Sequence, residues 1–103
     1  MTYLESLATE IQHAVPGDAL PDDDTSGLFL MYAIVLLARG EDTSREDVHN
    51  AWVAWMITKG EQHESMVPFA ELPAATQAED SPFVIAIRTV ARQRKSEGTD
   101  QSS

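Results

Sequence analysis

The sequence contains no cysteine. That excludes disulfides, thiolate metal sites and cysteine nucleophiles together, and it is compatible with a reducing, cytoplasmic setting. Basic residues are scarce as well: seven lysines and arginines stand against seventeen aspartates and glutamates, a formal net charge of -10. Residues 1–87 hold only Arg39, Arg45 and Lys59 against fifteen acidic residues, while Arg88, Arg92, Arg94 and Lys95 gather near the C-terminus. A surface of this kind repels phosphate backbones, so no nucleic-acid partner is expected.

No apolar run is long enough for a bilayer. The longest, Leu28 to Ala38, has eleven residues, against the ~20 that a transmembrane helix needs. Met1 leads into a polar, periodic segment without a basic region followed by an apolar one, so a secretory signal is not expected either. The three histidines, His13, His49 and His63, are not four residues apart and no His-Glu-x-x-His string occurs, which leaves no metal motif. Gly-rich phosphate loops and nucleophile elbows are also missing. The expectation is a protein without catalytic activity or cofactor.

What the chain does have is helical periodicity. With hydrophobic residues at 43% of its 103 positions, it is expected to fold as one domain rather than stay disordered. Thr2 and Glu5 form a capping-box pair, and Leu4, Leu7, Ala8 and Ile11 follow at i, i+3, i+4 and i+7, which predicts an amphipathic helix over Thr2 to His13. Pro16 and Gly17 end it, and the stretch to Asp24 reads as a solvated loop. Asp22, Asp24, Ser26 and Gly27 imitate the front of a calcium loop. The twelfth position, which needs a bidentate glutamate, is Ala33, so the segment reads instead as a helix start capped by Asp24, Thr25 or Ser26.

Thr25 to Arg39 is then expected as a central helix buried on most faces, with Gly40 as its C-terminal cap. Thr43-Ser44-Arg45-Glu46 reads as a second capping box that opens a helix over Ser44 to Lys59. Within it Val48, Trp52, Trp55, Met56 and Lys59 share one stripe, and tryptophans at this spacing read as core packing. Pro73 is placed to start a short turn over Ala74 to Ala78. Ser81-Pro82 reads as a cap and first helical residue, leading into Phe83, Ala86, Ile87 and Val90 on one face of a helix ending at Lys95. Residues 98–103 are expected to be a disordered tail. The predicted architecture is an all-α domain over 1–97 with four to five helices and a proline-containing ordered connector.

Two strings in the middle of the chain add a resemblance. Val48-His49-Asn50-Ala51-Trp52, ending in Met56-Ile57-Thr58-Lys59-Gly60, and His63 followed by Val67-Pro68-Phe69 and Glu71-Leu72-Pro73, resemble the two halves of the RyR repeat. That small helical module is named after the ryanodine receptor and also occurs in bacterial and phage proteins. The resemblance covers residues 43–95, and the whole pattern is also similar to small acidic actinobacteriophage proteins. It departs from the repeat where Gly60 is separated from His63 only by Glu61-Gln62, and where Glu64 stands in place of a proline.

The resemblance implies two functions. One is a non-catalytic protein-interaction or phage accessory module, cytoplasmic in its host, whose partner meets the acidic face or the Arg88 to Lys95 segment. The other is a sensor or sequestering module for a nucleotide-like ligand. The first ranks higher, because the aromatic loop residues that help form a nucleotide cleft in receptor repeats are absent. If the cleft is kept, His49, Trp52, His63 and Arg88 are its expected residues, with Arg88 as the anion-binding group.

Overall fold

The capping box at the start of the chain forms as the sequence predicts. In the computed structural model the Thr2 hydroxyl accepts from the Glu5 amide at 3.2 Å, while the Glu5 carboxylate accepts from the Thr2 amide at 2.9 Å. The structure describes the backbone of residues 2–20 and 24–102, and the side chains of 2–20 and 24–95. Five α-helices follow one another: α1 (Tyr3–Ala14), α2 (Ser26–Arg39), α3 (Arg45–Thr58), the short α4 (Ala74–Ala78) and α5 (Ser81–Ser102). Single 3-10 turns lie at Gly17–Ala19, Gly40–Asp42 and Phe69–Glu71, and no strand occurs among the described residues. The domain is all-α.

The centre of the core is α2, against which α1, α3 and α5 pack. Leu7 and Ile11 of α1 meet Phe29 and Ala33 of α2, Val48 of α3, and Ile87 and Val90 of α5 in one cluster, each at most 1% exposed. Burying a side chain of this size stabilises by roughly 1.5 to 3 kcal/mol, so this cluster is the main source of the fold's stability. The aromatic rings join it too. Tyr32 meets Phe29 edge to face at 5.4 Å and 88°, and Phe83 at a tilt of 42° and 5.6 Å.

The long apolar run is buried on most faces, as expected: Ile34 and Leu37, one turn apart on its outer face, are exposed, because α1, α3 and α5 occupy its other flanks. Other expectations need correcting. The second capping box is formed one residue later than predicted. Ser44 pairs with Asp47 (2.9 and 3.2 Å), while Thr43 is buried and donates its hydroxyl to Gly40 O at 2.8 Å. Thr43 thus closes the turn after α2, where Gly40 adopts φ +56°, and leaves the cap to its neighbour.

The last helix likewise begins one residue earlier than Pro82 suggests. Val84 N donates to Asp80 O at 3.1 Å, which puts Asp80 at the N-cap and Pro82 inside the first turn, where no amide donor is required. Helix α5 also continues to Ser102, through the expected tail. No proline occurs beyond Pro82, and Gly98 alone costs a helix only about 1 kcal/mol. The loop after α1 is not wholly solvated, since its 3-10 turn sets Ala19 and Leu20 against the core. Asp22 and Asp23 lie outside the described residues, and Asp24 accepts from the amide and hydroxyl of Ser26.

The cap assignment is testable. Ser44→Ala should cost about 1 kcal/mol in urea unfolding, the usual loss for an N-cap hydroxyl. An unchanged midpoint would contradict it.

Candidate functional site

The connector between α3 and α4 is built to lie across the lower half of α3. Gly60 turns the chain with φ +72°, Pro68 and Pro73 restrict two backbone angles, and Leu72 is buried. Two side chains hold it from below. His49, only 3% exposed, lies 2.6 Å through Nε2 from Val67 O. A carbonyl oxygen can only accept, so Nε2 carries the proton. Gln77 of α4 donates from one amide nitrogen to both Phe69 O and Leu72 O, each at 3.1 Å.

A cavity of about 400 Å³ opens between α2, α3, this connector and the start of α5. Its α3 wall is the predicted stripe: Trp52, Trp55, Met56 and Lys59, with His49 beside them. Met56 is buried, but both tryptophans are only half-buried, so the stripe is a cavity wall and not the closed core that its spacing suggests. The Trp52 ring stacks on His49 at 5.9 Å and 27°, and meets His63 edge-on at 5.4 Å and 85°. Leu28 and Tyr32 of α2, with Phe83 of α5, supply the opposite side.

Close approach of α2 to Trp55 depends on a missing side chain. A Cβ at Gly27 would lie 3.0 Å from Trp55 Nε1, so the indole would have to shift by a few tenths of an ångström to admit it. On its other side Trp55 carries the Lys59 ammonium, 4.1 Å from its ring centroid, and Lys59 in turn lies 3.7 Å from Glu61. The second tryptophan is therefore clamped between a helix backbone and a cation at the cavity rim.

The charged groups in the cavity are mostly acidic. Lys59 is its single lysine or arginine, against Glu61, Glu79 and Asp80. Burial pushes the Asp80 carboxyl up to about 6, against the pull of His49; Glu79 adds to the rise and Arg45 opposes it. Burial also raises the Tyr32 phenol, and Asp80 adds to that rise. Neither the Tyr32 hydroxyl nor the Asp80 carboxylate makes a hydrogen bond among the described residues. Since Tyr32 is only 2% exposed and lines the cavity, its polar tip is left for whatever enters there.

Three of the four expected site residues meet here: His49, Trp52 and His63 all line the cavity. His63 is also held locally, its Nδ1 accepting from Ser65 N at 3.0 Å. Arg88 is elsewhere. Its Nε donates to Thr43 O at 2.7 Å, and farther along the same stripe Arg92 and Lys95 reach Glu41 at 3.2 and 3.8 Å. The cationic stripe thus ties α5 to the turn between α2 and α3, and Arg88 is not part of the cavity. Sequence reasoning passes over Tyr32 and Asp80. A lone polar tip in the apolar run of α2 was the available signal for the first; Asp80 reads only as a residue ahead of a helix.

One family profile spans α1 to α4 and the first half of α5. The chain belongs to the DUF7701 family. This is a domain of unknown function, and its profile matches residues 2–92. The DUF7701 match takes in α1, α2 and every element that lines the cavity, so the cavity is internal to the family domain. No curated protein and no solved structure matches the chain. Among the described residues no group of three or more His, Asp or Glu side chains could hold a metal, and no helix is long and apolar enough to cross a membrane.

Asp80 gives the cavity a pH signature. Its folded-state pKa lies above the ordinary 3.8, so its favourable contribution is present below that value and is lost as pH rises through about 6. Asn has nearly the same size and shape and cannot ionise. Asp80→Asn should therefore melt at a higher temperature than the wild type at pH 7.5, with the gap closing by pH 4. Equal melting curves at both pH values would contradict the burial of this carboxylate.

Proposed function

We propose that this domain is a small non-catalytic binding module that takes an organic ligand of low molecular weight in the cavity between α2, α3, the connector and α5. The observation that carries this reading is the wall itself: two half-buried tryptophans and a buried tyrosine whose hydroxyl bonds to no described residue, gathered around one cavity. A volume of about 400 Å³ is in the range of small-molecule sites, which are largely apolar with a few convergent polar groups. A relation to the RyR repeat, as a sensor or sequestering module, belongs to this proposal and is supported by the meeting of His49, Trp52 and His63. A nucleotide is less well supported than another flat ligand. Its phosphates would find one ammonium against three carboxylates, with Arg88 bound to Thr43 O.

One observation favours a second reading, the protein-interaction or phage accessory role in a host cytoplasm. Ile34 and Leu37 present an apolar stripe on α2 that is left open among the described residues, each 55% exposed. On that reading Leu37→Asp abolishes co-purification with a partner and leaves the cavity untouched.

The ligand reading is tested by thermal unfolding over a panel of small aromatic compounds. A compound that binds only the native state should stabilise it by about 2.7 kcal/mol at roughly a hundredfold excess over Kd. Trp52→Ala should abolish the shift while costing less than the ~3 to 5 kcal/mol typical of a fully buried tryptophan. If the panel shifts wild type and Trp52→Ala equally, the cavity is not where they bind.

A further inference from the structure

We infer that the cavity selects organic cations, specifically a protonated amine carried on an aromatic or apolar body, with Asp80 as the counter-charge and Tyr32 Oη as a second acceptor. The inference rests on the cavity being a ligand site and adds the chemical class of the ligand.

Three features point to a cation. The first is net charge: the cavity's one ammonium, Lys59, is already held at the rim by Glu61 at 3.7 Å and by the Trp55 face at 4.1 Å. Glu79 and Asp80 form no ion pair among the described residues. The second is the pair of acceptors. Asp80 and Tyr32 line the same cavity. A ligand presenting N–H donors and positive charge satisfies both, whereas an anion could accept from the Tyr32 hydroxyl but would be repelled by Asp80.

The third feature is the aromatic wall. Ring faces attract cations through their quadrupole, most strongly for tryptophan, and the domain already uses this at Trp55 with its own lysine. Trp52 and Phe83 complete the enclosure and provide the surface on which an apolar body would lie. A carboxylate kept half-buried among such rings has its charge weakly screened, which strengthens its attraction for an entering ammonium.

The test uses three compounds that share one ring and differ in charge: phenethylamine, 2-phenylethanol and phenylacetate. Each is titrated into the full chain at pH 7.5, followed by tryptophan emission and by calorimetry. The expected order is amine, then alcohol, then acid, with the amine about tenfold tighter than the alcohol. Asp80→Asn should reduce the amine to the level of the alcohol and leave the alcohol unchanged. Tyr32→Phe, which keeps the ring and the fold, should weaken the amine alone. If the alcohol or the acid binds as tightly as the amine, cation selection is wrong and the ligand cavity stands. If the amine is preferred but Asp80→Asn does not alter the preference, the counter-charge is assigned to the wrong residue. If none of the three changes the emission or releases heat, both the cation inference and the cavity reading fall.

Discussion

A single part-buried bond, from His49 Nε2 to Val67 O, decides the shape of this end of the molecule. Helices α1, α2, α3 and α5 have their own apolar cluster and do not depend on it. The connector does, because between Gly60 and Pro73 only Leu72 is fully buried. A neutral hydrogen bond contributes about 1 kcal/mol net, but leaving a buried ring nitrogen or carbonyl without a partner costs about 1 to 3 kcal/mol. Once α3 places the imidazole in the interior, the connector is therefore required to come to it. Phe69, 6.1 Å from the His49 ring and 5.9 Å from the Arg45 guanidinium, follows, and Gln77 fixes the far end. The result is a cover over the half-buried faces of Trp52 and Trp55 that leaves a cavity.

The same geometry explains the cavity's character. Its walls come from helices whose other faces belong to the core, so the rings have little freedom to collapse inward. Gly27 and Lys59 clamp Trp55 from two sides, and Tyr32 is fixed by its edge contact with Phe29 and its tilted contact with Phe83. Asp80 enters because α5 starts there. A carboxylate at a helix N-terminus is ordinarily favoured by the helix dipole, yet here burial outweighs that and raises its pKa. The domain retains a charge at some cost in stability, beside a tyrosine without a partner, and such a combination is what binding sites hold more often than cores do.

How much of this was legible in the sequence depends on whether local chemistry or tertiary packing sets the answer. Thr2 with Glu5, Gly40, Gly60 and Pro73 mark their element boundaries because caps and positive φ are local requirements. The apolar stripes of α1 and α5 are equally plain from their period. The one-residue shifts at Ser44 and Asp80 were not, since Thr43 and Ser81 are good caps in isolation and only the buried turn after α2 removes Thr43 from that role. Among the site residues, His49, Trp52 and His63 share a helix and its following connector, so one string brings them together. Arg88 was placed by charge need alone, and charge is satisfied elsewhere, at Thr43 O. Whether a tryptophan stripe closes into core or opens onto a cavity depends on a histidine–carbonyl pair 18 residues apart in the chain, which no period reveals.

The central claim is that His49 holds the connector over the cavity while the four-helix core stands without it. Amide hydrogen exchange of wild type and His49→Phe, resolved by residue, tests this most directly. The account predicts that protection is lost at Leu72 and Met66, whose amides bond within the connector, and is retained in α1 and α2. Unchanged protection across the connector, or equal loss through all the helices, would contradict it.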